Sequence, residues 1–150
     1  MHVHPDAFRR IVTITLGSDP LGVNDAAAIV GITYLALGAD DREDPDEVAA
    51  LDEIAQQVCT LANTAVAAPG VRATDDFERL ERIRELGGQL SGKGPRELAY
   101  ALGYAVTISD MDIAPAESEL LADVAVAFGI PDDRAAELAA IVAEAVTPPA

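Results

Sequence analysis

Apolar side chains recur at steps of three and four residues along most of the chain, the spacing of one face of an α-helix. Interrupted by glycine and proline, this pattern predicts seven helices. Six have predicted limits of about 5–16, 24–38, 45–62, 95–108, 115–128 and 131–146. The remaining one follows Thr74 and is ended by the segment GGQLSGKGP. The third, for example, shows a stripe of Val48, Leu51, Ala55, Val58 and Ala62.

Two of the predicted helices contain long runs without charge. Residues 26–39 read AAAIVGITYLALGA, and LAYALGYAVTIS begins at Leu98. Fourteen residues fall short of the roughly 20 that span a bilayer, so no direct membrane span is expected. Both runs predict helices that are buried on all sides.

The two uncharged runs belong to a repeat with an offset of seventy residues. In each copy an uncharged helix leads into an acidic turn and then into an amphipathic helix. The identical pairs are Tyr34 and Tyr104, Asp40 and Asp110, Pro45 and Pro115, Glu47 and Glu117, Leu51 and Leu121, and Ala55 and Ala125. We therefore expect one all-α domain with two pseudo-symmetric halves, about 5–62 and 74–146, and the uncharged helices in its centre.

Composition and charge narrow the classes of function. Of 150 residues, 50% are hydrophobic but only 4% are aromatic, which favours closely packed helices with small aliphatic side chains. The net charge of −16 argues against nucleic-acid binding and favours cations or basic protein partners. A single cysteine, Cys59, excludes an intramolecular disulfide, and the N-terminal apolar run is too short for a signal peptide. We expect a cytoplasmic protein with a buried Cys59.

The two acidic turns are the main candidate for a functional site. In the first, Asp44 as N-cap, Pro45 as first helical residue and Glu47 as third form a capping box. In the second turn, DMDIAPAE, the cap position is Ala114, so capping leaves Asp110, Asp112 and Glu117 unexplained.

A divalent cation would account for these carboxylates, and calcium suits them best because it collects oxygen ligands around short turns. The spacing is not that of an EF-hand. The predicted metal ligands are Asp110, Asp112 and Glu117 as the stronger set, and Asp40, Asp44 and Glu47 as the weaker. Residues 40–53 and 110–123 together carry −12 of the net charge, so a helix start within a solvated acidic docking face is the open alternative.

Other candidate chemistry is weaker. GGQLSGKG, residues 87–94, matches a phosphate-binding loop, but Gly94 replaces the magnesium-binding Ser or Thr and a helix precedes it where a strand is required. The histidines, His2 and His4, lie at the N-terminus, and no catalytic combination of side chains emerges. We expect a protein that is not an enzyme.

The repeated turns resemble those of the tellurite-resistance TerB family, which includes the N-terminal domain of the DjlA co-chaperones. The matching segments are SDMDIAPAESELLADVAVAFGI and ADDREDPDEVAALDEIA, although Asp41 and Met111 stand where the family usually has glycine. The resemblance covers nearly the whole chain. It implies an acidic, all-α stress-response module that binds a divalent cation and acts with membrane-associated partners.

Overall fold

A computed structural model of the chain describes residues 5–17, 21–37, 45–62, 76–90, 92–108 and 115–146. Every regular element within these ranges is an α-helix, so the predicted all-α fold is confirmed. The helices are α1 (Pro5–Thr15), α2 (Val23–Leu37), α3 (Pro45–Leu61), α4 (Asp76–Gly88), α5 (Lys93–Ile108), α6 (Pro115–Ala127) and α7 (Asp132–Val146). Their ends lie within two residues of the predicted limits.

The two helices that contain the uncharged runs, α2 and α5, form the centre of the bundle. They pack against each other more extensively than any other pair of helices. Residues 28–33 of α2 and 97–103 of α5 are buried without interruption. Ala27 is exposed, so burial of α2 on all sides begins at Ala28, two residues later than the sequence predicts. A helix without a polar face is stable in water only when neighbours cover it, and here α3, α4 and α6 contact α2 while α1, α6 and α7 contact α5.

The outer helices contribute one apolar stripe each to this core. The predicted core residues Val58, Ile83, Leu121, Val124 and Leu138 are buried. Cys59 is also buried, as predicted. Leu80, Leu86 and Ile141 are only partly buried. Each outer helix faces solvent on one side, and these residues lie at the border between its apolar stripe and that side.

Two glycines end helices in the left-handed conformation. Gly129 has φ of 69°, its N–H donates to the carbonyl of Val126, and the N–H of Ile130 donates to the carbonyl of Ala125. These two bonds form a Schellman motif, which satisfies carbonyls that the end of α6 leaves free. Gly17, with φ of 63°, ends α1 through a bond from its N–H to the carbonyl of Thr13.

In both copies of the sequence repeat, the helices follow one another in the order that the sequence predicts. A central helix with an uncharged run precedes each acidic connection, and the next helix begins at Pro45 in one copy and at Pro115 in the other. The two-fold relation between the halves stays a prediction. No helix within the described ranges combines the length and apolar character that crossing a membrane requires.

Candidate functional site

The candidate cation site lies on the connections that leave the two central helices. Residues 38–44 join Leu37 of α2 to Pro45 of α3, and residues 109–114 join Ile108 of α5 to Pro115 of α6. Four of the predicted ligands, Asp40, Asp44, Asp110 and Asp112, therefore lie outside the described residues. The structure describes the helix ends on either side of them.

Glu47 and Glu117 are the predicted ligands whose backbones the structure places. Each is the third residue of its helix, because α3 begins at Pro45 and α6 at Pro115. A glutamate at this position stands in the first turn, where backbone N–H groups lack helical partners and the helix dipole favours negative charge. The two glutamates thus have the same position relative to the helix start.

Each connection begins at the C-terminal end of a helix, where the helix dipole has its negative end. The last four carbonyls of an α-helix accept no intrahelical bond, and they carry partial negative charge. Each acidic connection starts from such a helix end, Leu37 in α2 and Ile108 in α5. Calcium takes both carbonyl and carboxylate oxygens as ligands.

No metal site made entirely of described residues competes with these connections. Among the side chains that the structure describes, no three from His, Cys, Asp or Glu lie together in a group that could hold a metal ion.

A buried ion pair between α5 and α7 is the strongest polar feature that the sequence did not predict. The guanidinium of Arg134 donates from Nε to Oε2 of Glu97 at 3.1 Å and from Nη2 to Oε1 at 2.8 Å. The Glu97 side chain is only 3% exposed. Arg134 also pairs with Glu137 at 2.9 Å, and its Nη2 donates to the carbonyl of Ile14 at 3.4 Å.

This arrangement holds helices together and leaves little capacity for chemistry. Both carboxylate oxygens of Glu97 accept bonds from Arg134, and Lys93 lies 3.8 Å from Oε2. The hydrogen bond to Glu97 raises the pKa of Arg134 further above its ordinary value, so the guanidinium stays charged. No local pattern in the sequence pairs these two residues, although Glu97 directly precedes an uncharged run and Arg134 lies one turn before the apolar Leu138.

The other groups with candidate chemistry are buried in the core. Gly87, the first glycine of the pattern that matches a phosphate loop, lies in α4 against the ring of Phe128. Burial raises the pKa of the Cys59 thiol, which disfavours the nucleophilic thiolate. Burial also raises the pKa of the Tyr100 hydroxyl, with a further contribution from Tyr104.

Comparison of the chain with models of protein families, with curated proteins and with solved structures gave no match. The resemblance to the TerB family therefore stays a prediction from the sequence.

Proposed function

We propose that this chain is a TerB-like accessory protein of tellurite resistance or a related stress response, and that it binds a divalent cation through its two acidic turns. The observation that carries the proposal is the matched start of α3 and α6. Both helices begin at a proline, and both have a glutamate as their third residue directly after an acidic connection.

Calcium is the ion that the proposed ligands fit best. Asp110, Asp112 and Glu117 supply carboxylates, and the end of α5 at Ile108 supplies carbonyls. Such a set consists of oxygen only, without the cysteine or histidine that zinc prefers. In the weaker first turn, the sequence pattern also predicts Asp44 and Glu47 as a capping box at the start of α3.

The proposed role is sensing or buffering of the ion, not catalysis. Cys59 is buried and its thiol pKa is raised, so it supports no nucleophilic mechanism. In the proposal the protein is cytoplasmic and acts with a membrane-associated protein partner that presents a basic surface. The net charge of −16 supports a partner of this kind.

The second candidate function is a docking module that needs no ion. The charge distribution favours it: residues 40–53 hold eight acidic side chains and one basic side chain. Such a surface attracts a basic segment through long-range electrostatics, and salt weakens this binding.

A melting-temperature titration with calcium, magnesium, zinc and manganese at constant ionic strength separates the two functions. Selective binding stabilises the folded chain by RT ln(1 + [L]/Kd), about 2.7 kcal/mol at a hundredfold excess over Kd. A saturable rise with one ion supports the cation site. Equal responses to all ions support docking, which is then measured as salt-sensitive binding of a basic peptide.

A further inference from the structure

We draw no further inference here: the strongest candidate, the side chain of Arg96 in the first turn of α5, whose buried Nε has no hydrogen-bond partner among the described residues, rests on a helix N-terminus alone, because this side chain is only partly buried and no second observation points to a ligand.

Discussion

Gly87 of α4 lies directly against the ring of Phe128, which follows the end of α6. A Cβ atom placed on Gly87 would lie 2.3 Å from Cε1 and 2.8 Å from Cδ1 of this ring. Phe128 is 5% exposed and belongs to the core. The absence of a side chain at position 87 thus lets α4 approach α6 closely enough to cover the ring.

Gly87→Ala is therefore expected to destabilise the protein. Displacing a buried ring costs about 1–3 kcal/mol, which outweighs the gain of up to about 1 kcal/mol that alanine brings to a helix. The matched control is Gly88→Ala, because a Cβ atom there meets nothing within 4 Å. Urea unfolding of both variants measures the difference.

A double variant shows whether contact with the ring of Phe128 causes the loss of stability in Gly87→Ala. Phe128→Leu removes Cε1, the ring atom nearest to the new methyl group, together with Cζ, so the cost of Gly87→Ala should be smaller in this background. Additive effects of the two substitutions would show that Gly87 and Phe128 are not coupled, contrary to the structure.

The second prediction concerns the end of α6. Gly129→Ala is expected to lower the free energy of unfolding by about 1–2 kcal/mol, since a Cβ atom is strained at a φ of 69°. Space is not the reason, because a Cβ atom on Gly129 meets nothing within 4 Å. Gly129→Asn is the control, and thermal unfolding should show a smaller loss because asparagine tolerates this conformation. Equal losses for both substitutions would argue against backbone strain.

The third prediction compares a buried with an exposed ion pair. Glu97→Gln leaves Arg134 without its main counter-charge and should cost about 1–3 kcal/mol, since Arg134 is 23% exposed and keeps its contact with Glu137. Glu81→Gln removes a pair with Arg84 at 3.0 Å whose side chains are 46% and 53% exposed, and should cost less than about 0.5 kcal/mol. Urea denaturation measures both. Similar costs would mean that the environment of Glu97 is not as dry as the structure shows.

The fourth prediction uses the pKa of Cys59. Burial raises this pKa above its ordinary value of 9.0, so the folded chain holds the thiol proton more tightly than the unfolded chain does. The resulting stabilisation is present below pH 9 and is lost as the pH rises through the folded-state pKa. The stability difference between wild type and Cys59→Ala should therefore narrow above about pH 9, by at most about 1.4 kcal/mol per pH unit. Urea denaturation at stepped pH tests this, and a difference independent of pH would contradict it.

Much of the fold was predictable because its signals are local. Glycine and proline mark the helix ends: Gly17 and Gly129 have positive φ after α1 and α6, and Pro45 and Pro115 begin α3 and α6. Apolar periodicity identified Val58 and Leu138 as core residues. These features depend on neighbours within two helical turns.

The features that the sequence did not predict are contacts between distant segments. Glu97 and Arg134 are 37 residues apart, and nothing in their local sequence pairs them. Gly87 matched a phosphate-loop pattern, whereas its contact with Phe128 becomes evident only when α4 and α6 are packed. For the candidate site, the two helix starts were predictable from proline and glutamate. The ligand geometry depends on how the connections fold, which no periodicity determines.

Cation binding by the second acidic turn is the central claim, and calorimetric titration of calcium into the protein tests it most directly. The variants are Glu117→Gln and, as a control with the same change in charge, Glu85→Gln on the exposed side of α4. We predict saturable binding to the wild type and to Glu85→Gln at constant ionic strength, and weaker binding to Glu117→Gln. No saturable heat with the wild type, or equal binding by all three proteins, would contradict the account.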